Sequence, residues 1–318
     1  MKLYITGKNS SQGLEAGDST SFADIARALG YTIVSNHLDA DAIICVDYHP
    51  KFREELRDAQ SHGVRTFLIQ QEPYVVLPEH RRENPGKVFD HVLRIGIPGE
   101  VTRHYGNSWH LAKNWKGPRQ KRFVAITANK WSALPGQLYS LRREIYSAHE
   151  MIDLYGHGWE ANVRSQLTMI SKEILLGLAA RSRIVLPRAS DIFSSPSNFL
   201  GSVKDKAKTM ADYDFSLIIE NSGHYMSEKL MDSLLSGNLP VYVGAPIQHF
   251  KIPEMFVFQA EPTLESIRDK MNEAMSVNPI EFRSTLKEWL LDPLTLDAWK
   301  ADRVTIKLLT EISRHLSD

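Results

Sequence analysis

The residues best suited to chemistry lie in one stretch, FSLIIENSGHYMSEKLMDSLLSGNLPVYVGAP, from Phe215 to Pro246. A strand-like run ends on Glu220 and Asn221. A polar loop then carries His224, Tyr225 and the triplet Ser227-Glu228-Lys229 before a helical pattern begins. A connection that only turned the chain would need Gly and Asn. Ser227 suits the N-cap of that helix, with its side-chain oxygen accepting a first-turn amide. Glu228 and Lys229 then occupy the first turn, where free amides and the helix dipole favour an anion. A lysine there adds like charge to the dipole, and a bound phosphate would offset it. A carboxylate there complements the dipole and can accept hydrogen bonds from ribose hydroxyls. The pair reads as a nucleoside-diphosphate site, or else as a dipole-complementing acid beside a solvated lysine.

The elements around this stretch alternate strand and helix, as in α/β folds. KLYIT, YTIVS, AIICVDY, VRTFLIQQEP and FDHVLRIG read as strands in the first half, with helices in SFADIARALG and PKFREELRDAQSHG. The pattern lapses from Gly106 to Lys121, a breaker-rich run read as a linker. It restarts with RFVAITA as a strand, LYSLRREIYSAHE as a helix and MIDLYG as a strand. Three helical patterns close the chain. The expected architecture is two Rossmann-like domains facing a cleft, residues 1–117 and 118–318, the closing helices belonging to the second. Ligands of such sheets bind beyond the carboxyl ends of strands, which singles out the positions after Ile69, Ile126 and Ile219.

Composition narrows the classes. The 318 residues are 42% hydrophobic and 24% charged, those of a globular protein. Thirty-eight basic residues balance 38 acidic ones, which argues against a nucleic-acid partner. The single cysteine, Cys45, excludes an intramolecular disulfide and reads as a small buried hydrophobe. No run approaches the ~20 apolar residues of a membrane span, and MKLYITGKNSSQG is too polar for a signal peptide.

The central stretch resembles the signature of glycosyltransferase family 10, the α-1,3/4-fucosyltransferases. The matching residues are Tyr213, Phe215, Glu220, Asn221, Ser222, Tyr225, Ser227, Glu228, Lys229, Pro240, Val241 and Gly244. GSVKDKAKTMADYDF and MIDLYGHGW resemble the family's neighbouring segments, and the likeness covers roughly residues 120–250. It implies a GT-B enzyme that moves fucose from GDP-fucose with inversion, in an α-1,3 linkage, to a hydroxyl of a GlcNAc-containing glycan, and that requires no metal or other cofactor. It implies that Lys229 and Arg142 hold the diphosphate and Glu228 the ribose. Arg142 fits the spacing to the DLYG strand better than Arg143. Tyr225 and Asn221 would line the donor pocket, and Glu220 would orient the loop or face the sugar. The loop from Glu220 to Glu228 is about two residues shorter than the family's. Its resulting Glu-x7-Glu spacing matches a retaining-enzyme pattern, read here as coincidence.

An inverting transfer needs a base for the acceptor hydroxyl. Glu72, at the end of FLIQQEPYV, matches the family's acidic position in the acceptor domain, with Glu79 and Glu83 as competitors. The triplets Asp39-Ala40-Asp41 and Asp212-Tyr213-Asp214 precede strands and read as strand-entry residues rather than metal ligands. Trp109 and Trp115 read as interdomain packing or acceptor stacking, and His157 as a cleft or loop residue. Another nucleotide sugar as donor, or a non-catalytic sugar-binding protein, remain the competing functions. The resemblance places the chain among bacterial or viral cytoplasmic enzymes. Its last helix, VTIKLLTEISRHL, packs on the domains or touches a membrane.

Overall fold

The computed structural model describes residues 1–8, 22–78, 85–98, 115, 117, 119–193, 196–299 and 301–317. They belong to two compact units. One comprises Met1–Trp109 with Pro293–Asp318, the other His110–Asp292.

The first unit is built on a parallel sheet ordered β2-β1-β3-β4-β5. Its strands are β1 (Lys2–Thr6), β2 (Thr32–Ile33), β3 (Ala42–Val46), β4 (Arg65–Gln70) and β5 (His91–Arg94). The central strand β3 is buried at every position, as expected of a strand covered on both faces. One face packs Leu3, Ile44, Phe67 and Ile69 against Phe22 and Ile25 of α1 (Phe22–Ala28). The other packs Ile43, Cys45 and Leu68 against Leu56 and Ala59 of α2 (Arg53–Ser61). Cys45 is thus the buried hydrophobe expected, and burial pushes its thiol far up.

The closing helices depart from expectation. α10 (Pro293–Trp299) and α11 (Ala301–Ser317) belong to the first unit, so the second domain ends at Asp292 rather than at the last residue. Val304, Leu308, Leu309 and Ile312 of α11 complete the core under β1, β3 and β4. The physical reason is area: the seven-residue α1 is too short to cover that sheet face alone. The apolar stripe of α11 is spent on this packing, which removes the basis for a membrane contact through it.

The second unit carries a parallel sheet ordered β10-β9-β8-β6-β7. The strands are β6 (Gln120–Ile126), β7 (Ile152–Tyr155), β8 (Tyr213–Ile219), β9 (Leu239–Val243) and β10 (Phe258–Gln259). Between them lie α3 (Tyr139–Ala148), α4 (Val163–Ala179), α5 (Ala189–Phe193), α6 (Lys206–Ala211) and α7 (Glu228–Leu235), with α8 (Leu264–Met275) and α9 (Pro279–Leu291) following. All seven residues of β8 are buried. Asp214 lies within β8 rather than before it, and pairs with Arg283 of α9 at 2.6 Å in the interior. Asp41 does precede its strand, accepting from the Lys2 amide at 2.7 Å. Trp115 packs its ring on Gly237 inside this unit, whereas Trp109 and most of the expected linker lie outside the described residues.

Each sheet begins with a strand flanked by the next two strands in sequence. The connections therefore leave in opposite directions between β1 and β3, and between β6 and β8. Such switch points open a crevice at the carboxyl edge of a doubly wound sheet.

Candidate functional site

The switch point of the second sheet is organised by Glu220. Its side chain is fully buried, so its charge must be met by hydrogen bonds. Oε1 accepts from the Ser227 amide at 2.8 Å and from Ser227 Oγ at 2.9 Å. Oε2 faces Ser227 Oγ at 2.8 Å and Lys229 Nζ at 3.4 Å. Ser227 caps α7 as expected, accepting from the Lys229 amide, and its Oγ also receives Lys229 Nζ at 2.8 Å. The Lys229 side chain is one-fifth exposed. Its ammonium therefore lies on the amino end of α7 instead of extending into water. Of the two roles open to Glu220, its contacts are those of a loop organiser. The end of β9 is fitted to it: a Cβ on Gly244 would collide with the Glu220 side chain and the Tyr242 hydroxyl.

The loop after β6 meets the loop after β8. Leu138 donates its amide to the Asn221 carbonyl at 3.1 Å, and Gln137 pairs with Ser222. Arg142, 2% exposed on α3, donates Nη2 to the Ile219 carbonyl at 2.5 Å and to Asn221 Oδ1 at 3.2 Å. Its guanidinium lies 5.1 Å from the Tyr139 ring centroid, a cation–π distance. Arg143 points elsewhere, donating to the carbonyls of Asp191 and Lys130. Burial pushes its guanidinium down to about 10, against the pull of Asp191. Only Arg142 of the pair is brought to the β8 loop. Tyr225 is buried, and its carbonyl accepts from the Ala245 amide and the Tyr242 hydroxyl.

Two further residues join the cluster that the sequence did not single out. Lys206 of α6 forms an ion pair with Asp232 of α7. Burial works against the Lys206 charge, but Asp232, followed by Glu228, outweighs it and holds the ammonium above its ordinary value. Lys206 and Lys229 line a cavity of about 20 Å³ together with Ile126, Thr127, Tyr146 and Ile219. Burial pushes Tyr146 up to about 12, against Arg142. The signal for Lys206 was present in VKDKAKTM, but its partner lies 26 residues on, in another helix.

Glu72 sits where expected, just past β4, and is partly exposed. What holds it is Asp47, also missed from sequence. Asp47 is fully buried at the switch point of the first sheet, in the left-handed region with φ 55°. Its Oδ1 accepts from the amides of Gln71 at 2.8 Å and Glu72 at 3.1 Å. Its own amide donates to Ile69 at 3.0 Å, and its carbonyl accepts from Lys8 at 2.9 Å. Aspartate tolerates that backbone better than most residues. Glu79 and Glu83 lie outside the described residues. His157 is exposed. Among the described residues no His, Cys, Asp and Glu cluster could hold a metal.

No family model matches the chain. A fucosyltransferase-like protein of Arabidopsis thaliana is 34% identical over 88 residues, 26% of this chain and 17% of that protein. The chain thus matches about a sixth of that relative's length. Among solved structures, an α1,3-fucosyltransferase superposes over 100% of this chain and 90% of its own at TM-score 0.54 and 13% identity. HepE of Anabaena, solved with UDP and glucose, does so over 99% and 100% at TM-score 0.55 and 11% identity. The fold is that of the GT-B glycosyltransferases.

Within this GT-B chain, the switch point of the second sheet gathers Arg142, Lys206, Lys229 and the capped end of α7 around Glu220 and Asn221. The three cations and the amino end of α7 can bind an anion. Glu220 and Asp232 balance part of that charge, so a bound anion would compete with them for Lys229 and Lys206. Membrane-spanning character is absent from the described helices, none of which is long and apolar enough to cross a bilayer.

Proposed function

We propose that this chain is a glycosyltransferase whose second unit binds a nucleoside-diphosphate sugar at the β6/β8 switch point, with GDP-fucose as donor. The observation that carries the reading is the convergence of two cations on the loop that follows β8, Arg142 on Asn221 and Lys229 on Glu220 and Ser227 at the amino end of α7. In this reading Arg142 and Lys229 meet the diphosphate and stabilise the charge that develops as it leaves. Glu228 receives the ribose hydroxyls, and Asn221 and Tyr225 shape the sugar end of the pocket. Glu220 acts by holding Ser227 and Lys229 in place. Glu72 takes the proton from the attacking hydroxyl of a GlcNAc-containing acceptor, and the fucose is transferred with inversion, in an α-1,3 linkage, with no metal required. The likeness to the α1,3-fucosyltransferase fold and the short match to the Arabidopsis protein favour fucose.

A second reading keeps the site and changes the sugar. HepE, of equal structural likeness, is solved with UDP-glucose as well as with UDP and glucose, so UDP-glucose is the competing donor. The deciding experiment incubates the protein with each donor and a glycan array, reads product mass, and assigns the anomeric configuration by NMR. A fucosylated α-linked product supports the first reading, and a hexosylated product the second. GDP or UDP binding without any transfer would overturn both in favour of a non-catalytic binding protein.

A further inference from the structure

We infer that α4 docks the second unit onto an anionic lipid bilayer. The helix spends its inward face on the core through Gln166, Ile170 and Gly177. Beyond that face it keeps a second apolar stripe. Val163, Leu167, Leu175 and Leu178 are 43, 44, 66 and 57% exposed. Their spacing of i, i+4, i+12 and i+15, with Ser171 at i+8, sets them along one side of the helix. A 17-residue helix is about 25 Å long, and the stripe runs its length as two apolar pairs, Val163 with Leu167 and Leu175 with Leu178, on either side of Ser171. Ridges of exposed leucine on a folded surface mark contact with something apolar.

Charge decides what that is. From Val163 to Arg183 the chain has four basic residues and one acidic one. Arg164, Lys172, Arg181 and Arg183 are all exposed, while Glu173 is partly buried. A second copy of the chain packed on this ridge about a two-fold axis would set these like charges against one another. An anionic bilayer accepts both features at once: leucines enter the acyl boundary while Arg and Lys reach lipid phosphates. The contact is independent of the sugar-nucleotide reading, because none of these residues belongs to the β6/β8 site.

The test is co-sedimentation with vesicles of phosphatidylcholine alone and of equal parts phosphatidylcholine and phosphatidylglycerol. The expected result is binding to the mixed vesicles only. Two variants are run beside the native chain, Leu167→Ser/Leu175→Ser/Leu178→Ser and Arg164→Glu/Lys172→Glu. Each loses at least about tenfold in vesicle affinity, the scale of two basic residues at a charged surface, with melting temperature and nucleotide binding kept. The inference is overturned if the native chain ignores mixed vesicles, or if both variants sediment as well as it does. It is also overturned if the native chain is a dimer by light scattering that the leucine variant splits, because the ridge would then be covered by a second copy.

Discussion

At the scale of single residues, the β6/β8 site is a set of charges held in place by one buried carboxylate. Lys229 is placed by Ser227 Oγ and Glu220, so it is available to an anion without being loose. Lys229→Ala should weaken GDP binding about tenfold to a hundredfold, as for a charged hydrogen bond worth ~1.5–3 kcal/mol. Isothermal titration of GDP checks this, and an unchanged affinity would dismiss Lys229 from the phosphate site. Gly244→Ala forces a methyl into the Glu220 side chain and the Tyr242 hydroxyl. It should cost about 1–3 kcal/mol of stability through overpacking, read as a lower denaturation midpoint in urea, together with weaker GDP binding. The signature residues around Glu220 could be read from the sequence because a strand, a polar loop and a capped helix follow one another without interruption. Lys206 and Asp232 could not, since ion pairing across two helices leaves no local pattern.

At the scale of elements, the strand ends do the positioning. β4 delivers Glu72, but β3 contributes Asp47, whose carboxylate holds the amides that follow β4. If Asp47 acts through Glu72, Asp47→Ala should slow transfer about tenfold to a hundredfold, the cost of misplacing a reacting group by about an ångström. On a Glu72→Gln background it should slow it no further. A loss of equal size on both backgrounds would make Asp47 a general support of the fold. Measuring kcat for the four proteins, with GDP affinity as the control for the other unit, separates the two. The sequence shows an aspartate at the end of a buried strand, a common arrangement. Only the register of β3 against β4 reveals which amides it serves.

At the scale of the whole molecule, the chain closes on itself through α11, which returns to the first unit. The docking includes a stack of Phe67, His91 and His315, with centroids 5.0 Å and 3.9 Å apart. Burial and then His315 hold His91 below its ordinary value, with Asp90 opposing. The unfolded chain therefore binds this proton more readily than the folded one. Its contribution is complete above the ordinary histidine value of about 6.5 and is lost as pH falls below it. The melting temperature should fall on acidification through that range, and His91→Phe should flatten the fall. A native curve that is already flat would remove His91 from the account.

The sequence by itself determined the alternation of strands and helices, the break between two α/β halves and the capped helix after β8. These are local matters of hydrophobic period, turn residues and side chains within reach of their own backbone. Tertiary structure alone decided that α11 belongs with the first half and that Asp47 stands behind Glu72. Each of those outcomes depends on which apolar face remains uncovered, or on strand register between segments far apart in the chain. No local pattern carries either quantity.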